Sequence, residues 1–307
     1  MGRRVGDGNG DGRGGTLEPA VPSDLQQIDL LPQHAAAGFA LSSRIGWNQA
    51  LPDWDYMLAA GEGVGLTASD EALIATAMAL PYGGFAWICM VLVDPEYRRR
   101  GLATRLMDAV VARQVAAGCV PGLDATPDGR EVYRRIGFRD HYGLGRYRAE
   151  QTDAAASSPS AQSEATIRPL EEGDLPALAA MDRGVFGGDR SQLLGHLLNR
   201  VPGVPHGAWR GGELAGYVLA REGREAHQVG PLVAEDPAVA MALARAALSR
   251  IEGPVYLDAP DAQGAFVAWL EASGFAQQRP FFRMYQNHDG GFDDPGRLFA
   301  IAGPELG

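Results

Sequence analysis

The chain has 307 residues, of which 46% are hydrophobic and 21% charged, and a formal net charge of −11. This length suffices for two domains with separate cores, and the acidic balance argues against binding to nucleic acid or to an anionic membrane surface. With two cysteines, no Cys/His cluster and no apolar run of about twenty residues, the sequence predicts no disulfide framework, metal site or membrane span and favours a cytoplasmic protein.

The N-terminal part of the chain changes from a polar segment to alternating helices and strands. Residues 1–15 are rich in glycine and polar residues and are predicted to form a disordered tail. A helix is predicted over 24–39, two strands over 61–68 and 73–80, and a further strand over 85–93, where apolar residues follow one another without a break. Strands interleaved with helices predict an α/β fold with a mixed sheet.

The segment after this apolar run is the most informative part of the sequence. A turn at Asp94-Pro95 leads into Arg98-x-x-Gly101-x-Ala103 and then into a helix predicted over 101–117. The first turn of a helix has N–H groups without an intrahelical partner, and the helix dipole favours negative charge there. Because Gly101 and Ala103 have little side chain, a pyrophosphate can approach the backbone. The alternative is a basic turn that caps an ordinary helix.

The remaining elements continue the alternation. The first half goes on with a strand ending at 123–124, a helix over 128–136 and strands over 138–148. Residues 150–164 are small and polar, and are predicted to link a domain of residues 16–149 to a domain of residues 165–307. In the second half, helices are predicted over 175–185, 190–201, 237–250 and 262–273, and strands over 166–170, 214–221, 227–234, 255–258 and 279–286.

An internal repeat relates the two halves. Leu123-Asp124-Ala125 precedes a helix that ends at Gly137-Phe138, and Leu257-Asp258-Ala259 precedes a helix that ends at Gly274-Phe275. Both copies follow a long helix and have the same strand–helix–strand frame. The repeat therefore predicts a tandem of related domains.

The strand, the Arg98-x-x-Gly101-x-Ala103 turn and the helix together resemble the acyl-CoA-binding motif of the GNAT superfamily of N-acetyltransferases, and the chain resembles a bacterial two-domain subgroup of it. The resemblance implies tandem GNAT folds, each a twisted central sheet flanked by helices, and acetyl-CoA or another short acyl-CoA as cofactor. It also implies that the strand and the turn hold this cofactor. The residues concerned are Val91, Leu92, Val93, Arg98, Arg99, Arg100, Gly101, Leu102, Ala103 and Thr104.

The resemblance assigns a catalytic role to one tyrosine. Tyr133 lies in the helix before Gly137-Phe138, where the family has a general acid that protonates the departing CoA thiolate. The alternative is a tyrosine that only packs its ring on the sheet.

Candidate contacts to the acyl acceptor are less specific. Trp47, Trp54 and Asp55 lie where the family forms its acceptor pocket, and can bind a cationic amine by cation–π contact and charge or simply fill the core. Asp124 ends a strand beside the expected acetyl position. Because Asp258 recurs at the equivalent place, a structural or helix-capping role is favoured for both.

The second half lacks the parts that would bind a cofactor. Glu235-Asp236-Pro237 precedes its long helix in place of the arginine and glycine motif, and Leu270 replaces the tyrosine. Two carboxylates at this position repel a pyrophosphate. The second half is therefore predicted to be a degenerate GNAT-like domain.

The leading hypothesis is an N-acetyltransferase that passes the acetyl group of acetyl-CoA to the primary amine of a small molecule, by direct attack in a ternary complex. A homodimer is possible, and no nucleic acid or membrane partner is expected. The alternatives are an N-acetyltransferase acting on proteins or peptides, and a non-catalytic acyl-CoA sensor.

Overall fold

The computed structural model describes residues 25–151 and 164–307, so the predicted tail and most of the predicted linker lie outside the described residues. Strands and helices alternate in a mixed α/β arrangement, which confirms the predicted fold class. The first half contains strands β1 (Gln26–Asp29), β2 (Glu62–Thr67), β3 (Leu73–Pro81), β4 (Phe85–Val93), β5 (Val120–Ala125) and β6 (Phe138–Ala149), and helices α1 (Ala35–Ile45), α2 (Leu51–Ala60), α3 (Leu102–Ala116) and α4 (Pro127–Arg135).

The second half repeats this order and adds one short strand, β13. The sequence patterns predicted neither β13 nor β8, which is the equivalent of β2. Its strands are β7 (Thr166–Pro169), β8 (His206–Arg210), β9 (Glu213–Arg221), β10 (His227–Ala234), β11 (Val255–Pro260), β12 (Ala276–Gln286) and β13 (Leu298–Ala300), and its helices are α5 (Leu175–Phe186), α6 (Ser191–Leu198), α7 (Pro237–Leu248) and α8 (Gly264–Ala272). Among the described residues, no helix combines the length and apolar character needed to cross a bilayer.

The two halves exchange their last long strands. All the strands form one sheet in the order β1-β2-β3-β4-β5-β12-β6-β11-β10-β9-β8-β7, with β13 beside β10. Strand β12 of the second half pairs with β5 of the first, and β6 of the first half pairs with β11 of the second. The sheet is therefore continuous, and the division into domains 16–149 and 165–307 remains a prediction about the chain.

The helix predicted over 24–39 is wrong in its first part. Gln26–Asp29 is the edge strand β1, which pairs antiparallel with β2. Leu31 has an extended backbone with φ −126° and ψ 164°, because a residue before proline is pushed out of the helical region by the Pro32 ring. The α-helix begins only at Ala35.

The long helix of each half packs its apolar face on the sheet. Helix α3 buries Leu102, Leu106, Met107, Val110 and Val111 against β2 to β5, at the three- and four-residue spacing of one helical face. Helix α7 has the same relation to β8, β9 and β10. Each fully buried leucine or valine contributes about 1.5–3 kcal/mol to stability, so α3 is held firmly and its first turn has a fixed position.

Candidate functional site

Strands β4 and β5 run side by side only at their beginning. Phe85–Trp87 pair in parallel with Val120–Gly122, and beyond Trp87 no strand of the described residues pairs with β4 on this side. Residues 88–93 therefore have one edge with free N–H and C=O groups, and such groups remain available to a ligand. The gap between the two strands is the centre of the candidate site.

A β-bulge in β4 accompanies this divergence. Met90 has a positive φ of 49°, and the pairing of β4 with β3 shifts register between Thr76 and Met78. The buried Thr76 hydroxyl donates a 2.7 Å hydrogen bond to the Met90 carbonyl, which stabilises the irregular backbone. Bulges bend a strand and change the direction of the residues that follow, so the bulge sets the course of Val91–Val93.

A groove of about 420 Å³ runs from the free edge of β4 to the start of α3. All the predicted cofactor residues except Arg100 line it, together with Ile45, Trp47, Tyr97 and Val132. Gly101 precedes α3 in the left-handed conformation, with φ 74°, and no side chain of the described residues caps this helix N-terminus. The amides of the first turn are therefore open to the groove, as an anion site requires.

The three consecutive arginines of the turn do not share one orientation. Arg98 and Arg99 line the groove, and the Arg98 Nε donates to the Val93 carbonyl at 3.3 Å. The guanidinium of Arg100 lies 5.0 Å from the Tyr97 ring centre and donates to the Glu96 carbonyl at 3.1 Å. Arg100 therefore contacts the turn itself and lies outside the groove, and its contact with a cofactor stays a prediction.

A second cavity, of about 230 Å³, adjoins the groove between β4 and β5. Trp47 and Val91 line both spaces, so the two adjoin at these residues. Residues of both halves surround the cavity: Gly46, Trp47, Asn48, Gln49, Ile88, Cys89, Met90, Val91, Leu123, Asp124, Ala125, Thr126, Tyr133 and Arg146 from the first, and Glu225, Tyr256, Arg279, Phe281, Pro304 and Glu305 from the second.

The loop that carries Trp47 is fixed by the second half. Gly46 ends α1 in the left-handed conformation, which lets the chain turn away from the helix. Asn48 then holds the loop around Ala226: its Nδ2 donates to the Ala226 carbonyl at 2.9 Å, and its Oδ1 accepts from the amides of Glu225 and Ala226 at 2.8 and 3.0 Å. The placement of Trp47 between groove and cavity therefore depends on both halves.

Glu305 reaches the cavity from a segment that crosses the start of β4. The Trp87 Nε1 donates to the Pro304 carbonyl at 2.8 Å, and the Tyr82 hydroxyl donates to the Leu306 carbonyl at 2.9 Å. The buried Glu305 carboxylate accepts from Arg221, whose guanidinium also pairs with Asp53 at 2.5 Å. One guanidinium thus serves two carboxylates beside the cavity.

Tyr133 lies at the border of the cavity, on helix α4. Helix α4 begins after Thr126, whose Oγ1 accepts from the Gly129 amide at 3.3 Å. One turn later Val132 borders the groove and Tyr133 borders the cavity. Burial raises the pKa of Tyr133, so its hydroxyl is protonated at neutral pH. No hydrogen-bond partner of this hydroxyl occurs among the described residues, which leaves it available to a ligand.

Asp124 and Asp258 form equivalent ion pairs across the exchanged strands. Asp124 accepts two hydrogen bonds from Arg283 of β12, at 2.9 and 3.0 Å, and Asp258 accepts two from Arg146 of β6, at 2.7 and 2.8 Å. Burial raises the pKa of Asp124 although Arg283 acts to lower it. Both oxygens of Asp124 are engaged, so the geometry supports the structural role that the repeat favoured, as an ion pair and not as a helix cap.

Two of the predicted acceptor contacts lie away from the cavity. Trp54 is completely buried in the core, where its ring lies against Gly38 and its Nε1 donates to Ser42 at 3.0 Å. Asp55 is exposed on the opposite face of α2. The helical period of α2 explains both positions, because the helix turns its apolar face, with Trp54, into the core and leaves Asp55 in solvent. Neither side chain lines the cavity.

The sequence patterns missed the contribution of the second half to the cavity. Tyr256, Arg279, Phe281 and Glu305 reach it only because β12 crosses to the first half and residues 301–307 lie against β4. One signal was present: an arginine follows each Gly-Phe pair by eight residues, at Arg146 and Arg283. It indicates that the same arginine–aspartate pairing recurs in the two halves, but not which half supplies each partner.

The equivalent helix of the second half is closed to an anion. Asp236 caps α7 and accepts from the Val239 amide at 2.9 Å, and Arg210 pairs with both Glu235 and Asp236. Although burial acts to raise it, these contacts hold the pKa of Asp236 below its ordinary value. The first-turn amides are therefore already occupied by a negative group of the chain itself.

Comparison with known protein families gives two matches. Residues 36–138 match the family described as "Acetyltransferase (GNAT) family", and residues 178–300 match the one described as "Acetyltransferase (GNAT) domain". The uncharacterised N-acetyltransferase YitH of Bacillus subtilis is 25% identical over 286 residues, covering 91% of this chain and 98% of YitH. The holothin acyltransferase of a Pseudoalteromonas species is 28% identical over 255 residues, covering 78% and 79% of the two chains.

Solved structures with a similar fold include a tandem GNAT protein. A putative acetyltransferase from Pyrococcus horikoshii has a TM-score of 0.74 at 17% identity, covering 94% of this chain and 98% of its own. A tandem GNAT protein from the clavulanic acid biosynthesis pathway has a TM-score of 0.63 at 15% identity, covering 85% and 98%. At these identities the likeness concerns the fold.

Proposed function

Because the chain belongs to the GNAT acyltransferases and carries two such domains in tandem, we propose that it transfers the acetyl group of acetyl-CoA to the primary amine of a small molecule. The observation that carries the proposal is that the groove and the cavity adjoin at Trp47 and Val91. A cofactor in the groove would present its thioester at this junction. An acceptor in the cavity would then meet it in a ternary complex, with no covalent enzyme intermediate.

The residues of the groove fit the chemistry of acetyl-CoA. The open amides at Gly101 and the first turn of α3, with Arg98 and Arg99 nearby, suit a diphosphate. The free edge of β4 offers backbone donors and acceptors to the amide groups of the pantetheine arm. Among the described residues no cluster of His, Cys, Asp or Glu could hold a metal ion, and the proposed reaction uses none.

The proposed reaction is a direct displacement at the thioester. The neutral amine attacks the carbonyl carbon, a C–N bond forms, and the resulting oxyanion is stabilised by N–H groups of the free β4 edge. The C–S bond then breaks, and the departing thiolate takes the proton of the Tyr133 hydroxyl. The nitrogen loses its proton to solvent, and the tyrosinate takes up a proton from solvent, which restores the tyrosine. Placing both reactants at one junction supplies most of the rate enhancement.

Replacing Tyr133 with phenylalanine tests the assignment of the acid. We expect kcat to fall about 100-fold, because general acid catalysis contributes this order of magnitude, while the affinity for acetyl-CoA stays unchanged. Release of CoA thiol measures kcat, and calorimetry measures affinity. Tyr147→Phe is the matched control, since Tyr147 is a buried tyrosine of β6 that does not line the cavity. Equal kcat values for the two variants would remove Tyr133 from the mechanism.

The size of the cavity and its position between the two halves favour a small acceptor. Both halves surround it, and its volume of about 230 Å³ suits a molecule of metabolite size better than a peptide segment. CoA release should therefore be seen with members of a library of small amines and not with lysine-containing peptides. Turnover of peptides alone would indicate a protein acetyltransferase, and binding of acetyl-CoA without turnover of any amine would indicate a sensor.

A further inference from the structure

Arg279 is a cavity residue whose charge has no carboxylate partner. It lies on β12, is exposed, and lines the cavity beside Tyr256 and Phe281. Across the described chain the ion pairs engage Arg146 and Arg283, the other arginines of this region, but none engages Arg279. Its guanidinium lies 5.3 Å from the centre of the Phe281 ring.

A second guanidinium increases the positive charge at this place. Arg279 is directly opposite Arg146 in the pairing of β12 with β6, and Arg146 lies 5.2 Å from the same Phe281 ring. Both oxygens of Asp258 are bound by Arg146. Glu225, the other nearby carboxylate, pairs with Arg224. Burial and the charge of Arg146 hold the pKa of Arg279 below its ordinary value, although Asp258 and Glu225 act to raise it.

The opposite end of the cavity has an excess of negative charge. Arg283 is shared by Asp124 and Asp293, and Arg221 and Arg200 together serve Asp53, Glu222 and Glu305. Asp124 lines the cavity on β5, on the side of β4 where the amine has to be placed, and Glu305 lines it within electrostatic reach of Arg146. The cavity therefore has a carboxylate in excess at the Asp124 end and an unpaired guanidinium at Arg279.

The strand geometry sets the separation of the two ends. Arg279 and Arg283 lie four residues apart on the same face of β12, and Arg283 is opposite Asp124 of β5. At about 3.3 Å per residue the two positions are roughly 13 Å apart along the strand. A flexible arginine side chain covers part of this distance, which leaves room for a chain of several carbons.

We propose, on the basis of the acetyltransferase function above, that the acceptor is an amine carrying a remote carboxylate, and that Arg279 binds this carboxylate. The primary amine of such a substrate lies at the Tyr133 end, and its anionic group lies between the guanidinium of Arg279 and solvent. Arg279 acts as a specificity-determining residue and takes no part in the bond changes.

The test compares two probes of equal length, the ω-amino acid aminohexanoate and hexylamine, which lacks the carboxylate. With acetyl-CoA, the wild-type protein should have the higher kcat/KM for aminohexanoate. In Arg279→Gln this value should fall by about tenfold to a hundredfold, as expected for loss of a charge-assisted contact, while the value for hexylamine stays within about twofold. Arg250→Gln removes an equal charge from an exposed site outside the cavity and should change neither value.

Equal losses for both probes in Arg279→Gln, or no preference of the wild type for aminohexanoate, would overturn the proposal while leaving the transferase function intact. If neither probe releases CoA, calorimetric titration with aminohexanoate decides the question: affinity unchanged by Arg279→Gln overturns the proposal, and affinity lost supports it. Absence of acetyl-CoA binding in the wild type is the separate result that contradicts the function itself.

Discussion

Replacing Gly101 with glutamate is expected to abolish acetyl-CoA binding, with a loss of affinity of at least about 100-fold, or roughly 2.7 kcal/mol. Gly101 precedes the open amides of α3 and lines the groove. A glutamate there fills the space that a diphosphate needs and repels its charge. Each backbone amide that no longer reaches the phosphate costs the free energy of a charge-assisted hydrogen bond, about 1.5–3 kcal/mol.

Gly118→Glu provides a matched control at the other end of α3. Gly118 is also left-handed, with φ 80°, and a side chain there meets nothing within 4 Å. Both variants therefore carry the same backbone strain, of about 1–2 kcal/mol, and the same added charge. Calorimetry should show one acetyl-CoA bound per wild-type chain, one per Gly118→Glu chain and none per Gly101→Glu chain.

The stoichiometry also tests the second half. Since Asp236 and Arg210 occupy the first turn of α7, we expect no second cofactor site. If the wild-type chain binds two acetyl-CoA molecules and the Gly101→Glu chain still binds one, this expectation is contradicted. If the wild-type chain binds one and the Gly101→Glu chain binds one with normal affinity, the placement of the diphosphate at Gly101 is contradicted instead.

The parts of the site that the sequence predicted are those made by residues close together in the chain. The apolar run of β4, the turn and the first residues of α3 are one continuous segment, and local rules of helix termini and small residues are sufficient to interpret it. Tyr133 could be located because it lies on the short helix α4, which precedes the Gly-Phe pair of the repeat. In these segments, neighbouring residues of the chain determine both the conformation and the candidate chemistry.

The acceptor side of the site could not be predicted because it depends on which strand crosses to which half. The pairing of β12 with β5 joins residues more than a hundred positions apart, as the Arg283–Asp124 contact shows. A strand within each half would satisfy the same hydrophobic pattern. Trp54 illustrates the converse error, since a tryptophan in a helix beside the site has the same local signature whether it faces the cavity or the core.

Replacing Arg283 with methionine is expected to destabilise the protein by about 3–5 kcal/mol, the usual cost of removing one partner of a buried ion pair. The side chains of Arg283, Asp124 and Asp293 are at most 1% exposed, so the two carboxylates lose their counter-ion without gaining water. Arg183→Met is the control. Arg183 and its partner Asp189 are both more than half exposed, and such pairs contribute at most about 1 kcal/mol. Urea unfolding measures both values.

The pH dependence of this loss of stability identifies its cause. Without Arg283, burial raises the pKa of Asp124 further above its ordinary value near 3.9. The folded variant then binds a proton more readily than the unfolded chain, so its stability increases as the pH falls through the folded-state pKa toward the ordinary value. The difference between wild type and Arg283→Met should therefore shrink as the pH is lowered from neutral through this range. The double variant Asp124→Asn/Arg283→Met should be less destabilised than the sum of the single changes. A loss of stability that is independent of pH, and additive in the double variant, would contradict this explanation. It would mean that packing of the Arg283 side chain, and not its charge, holds β12 of the second half against β5 of the first.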